Sequence, residues 1–140
     1  MRASALVVDD DASVRFVLGR ALESIGVEVI EVDDGAEVIP LLQGRRFDVL
    51  VIDLYMPGMN GFELLRQLRR PPPNVLPRPR TATDVPVLVV SAEGEAETVA
   101  NARRLGADAQ LPKPIDLAQF EQTVRQLLHS ERPGGRSERT

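Results

Sequence analysis

The chain has 140 residues, 21 acidic and 17 basic, with a net charge of −4, no cysteine and one histidine, a length that suits one domain with a sizeable core. The missing cysteines exclude disulfides, thiolate nucleophiles and thiolate metal sites, and the lone His129 excludes a His-rich metal cage within the chain. The acidic balance argues against direct nucleic-acid binding, and the absence of any long apolar run or secretory apolar region gives the expectation of a cytoplasmic chain without membrane insertion.

Ala5 to Val8 is a short apolar run closed by acids, the pattern of a strand covered on both faces. Val14, Val17, Leu18, Ala21, Leu22 and Ile25 then fall on one face of a helix. Val27 to Val32 mixes apolar residues with glutamates and suits a sheet edge. Asp34 and Glu37 have capping-box spacing, which starts a helix near residue 35, and Pro40 predicts that this helix is short or kinked. Val49 to Ile52 is a second fully apolar strand, and Asn60 with Glu63 starts a helix near residue 61. Residues 70–84 are dense in proline and arginine, the composition of an extended, solvated insertion with polyproline character rather than an interaction loop. Val85 to Val90 is a third covered strand, followed by a less apolar helix over 95–105. Ala109 to Pro112 is short and ends in proline, again an edge strand. Asp116 and Gln119 cap a last helix whose apolar face is Leu117, Phe120, Val124, Leu127 and Leu128. Residues 131–140 have the composition of a disordered tail.

Strand and helix alternate five times, which predicts an α/β domain with a parallel sheet, right-handed crossovers and helices on both faces. Placing the two polar strands at the edges gives a five-stranded order 2-1-3-4-5. In such sheets ligands bind beyond the carboxyl ends of the strands. Those ends carry Asp9-Asp10-Asp11, Asp53, Ser91 and Lys113, the last being the single lysine among the 17 basic residues. Two carboxylates ~4 Å apart repel by about 4 kcal/mol at an effective dielectric near 20. A cluster of three takes up protons or recruits a hard divalent cation, and Mg²⁺ (or Mn²⁺) suits such an oxygen donor set. The competing role for the three aspartates is helix capping, for which one suffices.

Four segments together resemble the receiver domain of two-component response regulators: Val7 to Asp11, Ile52 to Gly61, Val89 to Ala92 and Leu111 to Pro114. The likeness spans about residues 3–129, with a domain boundary expected at 130. It implies a flavodoxin-like (βα)5 three-layer sandwich, the fold whose strand order is 2-1-3-4-5. It also implies that Asp53 is the phosphoacceptor and that Asp9 and Asp10 hold Mg²⁺ with Asp53 and the Tyr55 backbone carbonyl. On the same resemblance Lys113 pairs with a phosphoryl oxygen, Ser91 turns its hydroxyl toward the phosphoryl group, and Lys113–Pro114 is a cis peptide. The implied partners are a sensor histidine kinase or histidine phosphotransfer protein and a downstream protein or output domain. The implied role is signalling, with self-catalysed phosphotransfer and autodephosphorylation rather than metabolic enzymology. Taken singly, Asp53 could cap a turn, Ser91 could be a turn residue and Lys113 a surface charge; His129 suits a helix C-terminal charge partner.

Three features depart from the family pattern. Gln110 stands where receivers carry the switch aromatic, Tyr55 and Glu93 stand where residues border the path of the hydrolytic water, and the 70–84 connection is long. Gly94 gives the loop after Ser91 backbone freedom. Two rival functions remain at this level: a phosphorylation-independent docking module, which Gln110 favours, and a Mg²⁺-dependent phosphohydrolase. The hydrolase pattern wants a second aspartate two residues after the nucleophile, where this chain has Tyr55.

Overall fold

A computed structural model of the chain describes residues 2–56, 58, 60–70, 80–92 and 96–129. Five strands, β1 (Ser4–Val8), β2 (Glu28–Val32), β3 (Val49–Asp53), β4 (Val87–Ser91) and β5 (Ala109–Pro112), alternate with five helices. The helices are α1 (Ala12–Ser24), α2 (Val38–Gly44), α3 (Gly61–Arg69), α4 (Ala96–Arg104) and α5 (Leu117–His129). All strand pairs are parallel and the order is β2-β1-β3-β4-β5, as the alternation and the two polar edges predict.

The pleat sorts the apolar runs into two cores. Leu6, Val8, Leu50, Ile52, Val87 and Val89 face α2, α3 and the buried Ala102 of α4. Ala5, Val7, Val49, Val51, Leu88 and Val90 face α1 and α5, meeting Leu18, Leu22, Phe120 and Val124. Both faces of the three inner strands are therefore covered, which is why those strands are apolar throughout.

Capping follows the sequence signals. Asp11, Asp34, Asn60 and Asp116 each accept a backbone N–H of the following turn. The predicted helix start near residue 35 is a 3₁₀ turn over Gly35–Glu37, and α2 follows it with only seven residues. Pro40 lies in its first turn, where an N–H has no intrahelical partner, so the helix is short rather than broken. Gly61 opens α3 against the end of β3: a Cβ there would stand 2.6 Å from Leu54 Cα. Only glycine lets the helix begin that close to the Asp53 strand end.

Three expectations need correction. Val17 and Leu117, placed on apolar faces by periodicity, are 42% and 39% exposed. Val17 sits on the flank of the Leu18–Ala21–Leu22 stripe, and Leu117 is the first residue of its helix. β4 starts at Val87 rather than Val85, because the Val85 N–H is spent on a turn to Ala82 O. Residues 80–84 are a solvated excursion only in part: Arg80, Ala82 and Thr83 are exposed, but Thr81 is buried, its hydroxyl accepting from Phe47 N and donating to Arg45 O. The proline-rich stretch 71–79 and the tail 131–140 lie outside the described residues.

Candidate functional site

The carboxyl ends of β1, β3, β4 and β5 bring the predicted site residues to one rim. β1 ends at Val8, and the next residue, Asp9, is fully buried, its backbone N–H donating to Val32 O of the neighbouring strand at 3.2 Å. Asp10 is exposed, and Asp11 turns away to cap α1, accepting from Ser13 N at 2.9 Å. The aspartate triplet thus divides its labour: one member caps, and two remain for chemistry. Asp53 closes β3, is 4% exposed, and lies in register with Val90. Ser91, the next residue of β4, is also buried, and its carbonyl accepts the Lys113 N–H at 3.0 Å. The Lys113–Pro114 peptide is cis, as expected.

Lys113 Nζ lies between two carboxylates, 2.9 Å from Asp9 Oδ2 and 3.3 Å from Asp53 Oδ2. The remaining oxygens are also used: Asp9 Oδ1 accepts from Asp11 N, and Asp53 Oδ1 accepts from Tyr55 N at 3.1 Å. One oxygen from each of Asp9, Asp10 and Asp53 falls within 4.8 Å of the others. This all-oxygen donor set fits a hard divalent cation that keeps several waters, and one ammonium does not balance three carboxylates. The structure gives no contact for the Tyr55 carbonyl; it shows the Tyr55 N–H on Asp53 and the Tyr55 hydroxyl 3.2 Å from Thr98 Oγ1. Glu93 and Gly94 lie outside the described residues.

Burial pushes the Asp53 carboxyl above the ordinary aspartate range; the Tyr55 N–H pulls it back, the Asp9 charge adds to the rise, and Lys113 opposes it. The ionised form therefore costs the folded state. That cost is fully present above the raised folded value and fades as pH falls toward the unfolded value of about 3.9. Asp53→Asn is expected to melt above the parent at pH 7, with the gap closing as pH falls toward 4. A gap that widens on acidification, in thermal unfolding followed by circular dichroism, contradicts this ordering.

Mg²⁺ is expected to stabilise the chain by relieving the same crowding. At ten times its dissociation constant the gain is about 1.4 kcal/mol, or roughly 4 °C in Tm. Asp10→Asn, which removes an exposed donor, should lose most of this shift; an undiminished shift in that variant would place the ion elsewhere.

Two contacts at this rim were not visible in the sequence. Thr98 on α4 meets the Tyr55 hydroxyl, and Gln110 Nε2 donates to Val99 O of the same helix at 2.7 Å. Both pair residues many positions apart, which no local spacing marks.

The response regulator receiver domain model matches residues 5–125 of this sequence. The chain belongs to that family. Among similar proteins, the DNA-binding transcriptional regulator NtrC of Escherichia coli K12 is 35% identical over 127 residues, covering 91% of this chain and 25% of that protein. The response regulator MprA of Mycobacterium bovis BCG is 36% identical over 133 residues, covering 95% of this chain and 54% of that protein. The chain therefore spans about a quarter to a half of these curated relatives. Among solved structures, the chemotaxis response regulator CheY4 of Vibrio cholerae superposes with a TM-score of 0.78 at 29% identity, covering 91% of this chain and all of that one. The Francisella response regulator 1452 receiver domain gives 0.79 at 28%, covering 90% and 96% of the two chains. Among the described residues no helix of this receiver is long and apolar enough to cross a membrane.

Proposed function

We propose that this receiver, taken as residues 1–130, is a phosphorylatable switch whose phosphoacceptor is Asp53. The observation that carries the reading is the position of the lone lysine: Lys113 Nζ within 3.3 Å of Asp53 Oδ2, beside the Asp9–Asp10 pair. An Asp53 carboxylate oxygen attacks the phosphorus of a phosphohistidine on a sensor kinase or histidine phosphotransfer protein. The oxygen–phosphorus bond forms as the phosphorus–nitrogen bond breaks, and the imidazole leaves. Such transfer depends on in-line positioning and charge neutralisation more than on covalent assistance. Lys113 supplies one positive charge to the phosphoryl oxygens, and the Tyr55 N–H holds the attacking carboxylate in place. Asp9, Asp10 and Asp53, with the Tyr55 carbonyl, would hold Mg²⁺ or Mn²⁺, which when bound neutralises phosphoryl charge. Ser91 turns its hydroxyl toward the phosphoryl group after transfer.

The role is cytoplasmic signalling. Phosphotransfer and autodephosphorylation are self-catalysed, and the product is a changed surface rather than a metabolite. The domain acts on a downstream protein or output domain, without binding nucleic acid or entering a membrane itself.

A phosphohistidine donor with labelled phosphorus tests this reading. The parent should take up label only with Mg²⁺ present and lose it under mild alkali, as an acyl phosphate does. No uptake under any condition would support a phosphorylation-independent docking module. Sustained turnover of unrelated phosphate esters would support a phosphohydrolase.

A further inference from the structure

Tyr55 is held at three points. Its backbone N–H donates to Asp53 Oδ1 at 3.1 Å, and its ring meets Phe62 of α3 edge-on, with centroids 6.2 Å apart and planes at 80°. Its hydroxyl lies 3.2 Å from Thr98 Oγ1, on the buried side of α4. The residue therefore bridges the end of β3 to α4 through one side chain.

Gln110 removes the alternative route. It occupies the β5 position where the family carries its switch aromatic, and its amide is committed to Val99 O at 2.7 Å. That bond ties α4 to β5 without a ring that could rotate inward. A signal from Asp53 to α4 cannot use a rotating β5 aromatic in this chain, and Tyr55 is in contact with both.

We propose that Tyr55, through its hydrogen bond to Thr98, is the positioning residue that conveys the state of Asp53 to α4. The inference rests on the reading of Asp53 as phosphoacceptor. In the structure the Tyr55 N–H donates to a carboxylate. Forming the acyl phosphate leaves the Asp53 carboxyl itself uncharged, the negative charge now lying on the phosphoryl oxygens, and hydrogen bonds to charged acceptors are roughly twice as strong as neutral ones. The anchor on β3 weakens while the Phe62 contact persists. Tyr55 then shifts with α3, and the Thr98 bond, made at one geometry, is strained or broken. α4 loosens as a result.

Hydrogen exchange of residues 96–104 in the full chain tests this, before and after loading with a small acyl-phosphate donor and Mg²⁺. Intact mass is read from the same samples. Parent α4 exchange should rise about fivefold on loading, the effect of losing one net hydrogen bond from the local opening equilibrium. Thr98→Val is nearly isosteric and should take up phosphoryl normally, yet show α4 exchange that no longer depends on loading. Thr98→Ser, which keeps the hydroxyl, should restore the dependence, and Tyr55→Phe should abolish it. A parent that gains the phosphoryl mass without any change in α4, or a Thr98→Val chain that keeps the full change, overturns the inference and leaves Asp53 as the acceptor. A parent that gains no mass overturns the acceptor reading and this inference with it.

Discussion

Lys113→Met is expected to lower the unfolding free energy by about 3 kcal/mol at pH 7, because removing one partner leaves buried opposite charge uncompensated. The side chains of Asp9 and Asp53 are 1% and 6% exposed, and that of Lys113 is 20% exposed. The partial exposure of the lysine puts the loss at the lower end of the range for broken buried pairs. Burial alone would drive the ammonium toward its neutral form. The Asp9 hydrogen bond and the charges of Asp53 and Asp9 outweigh that, so the Lys113 pKa lies above the ordinary lysine value. A raised lysine contributes stability that is fully present below the unfolded value of about 10.4 and is lost only as pH rises through the folded one. The deficit of the variant should therefore hold steady from pH 7 to 9. Adding Asp53→Asn to Lys113→Met should recover part of it by removing one of the stranded charges. Urea unfolding of the four chains measures this cycle, and a Lys113→Met loss below about 0.5 kcal/mol, the size expected of an exposed pair, would contradict it.

Arg69→Met is the second large loss, about 3–4 kcal/mol by the same reasoning. Arg69 ends α3, but its guanidinium folds inward. It donates to Thr83 O at 2.8 Å, Val85 O at 2.7 Å and Gly106 O at 2.7 Å, and pairs with Asp108 Oδ2 at 3.1 Å. With Asp108, whose carboxylate also accepts the Val87 N–H, it joins α3, the approach to β4 and the turn before β5. The two side chains are 12% and 10% exposed. Lysine should not rescue the site, since an ammonium cannot reproduce a planar fork serving several acceptors. A denaturation midpoint close to that of the parent would show that the network carries little of the stability.

These two residues also show what the sequence made legible. Asp9, Asp53 and Ser91 stood out because a both-sides-buried strand reads as an unbroken apolar run, which locates its end, and functional side chains of a parallel sheet gather at such ends. Lys113, after a short edge strand, stood out as the single lysine at a strand end, and the helix starts were legible because capping residues act within three positions. Arg69 was not. In the sequence it belongs to a stretch with five arginines and no acid between Leu64 and Thr83, which reads as a locally basic surface. Its partners Gly106 and Asp108 lie far along the chain, and only the packing of α3 beside α4 brings the turn before β5 to the guanidinium. Tyr55 and Thr98 were unreadable as a pair for the same reason. Val17 and Leu117 erred the other way: periodicity marks a face but not how much of it the sheet covers.

The central claim is that Asp53 receives the phosphoryl group. Intact mass after incubation with a small acyl-phosphate donor and Mg²⁺ tests it most directly, comparing the parent with Asp53→Asn. The parent should gain one phosphoryl mass and Asp53→Asn none. An adduct of equal yield on Asp53→Asn, or none on the parent, would contradict the account.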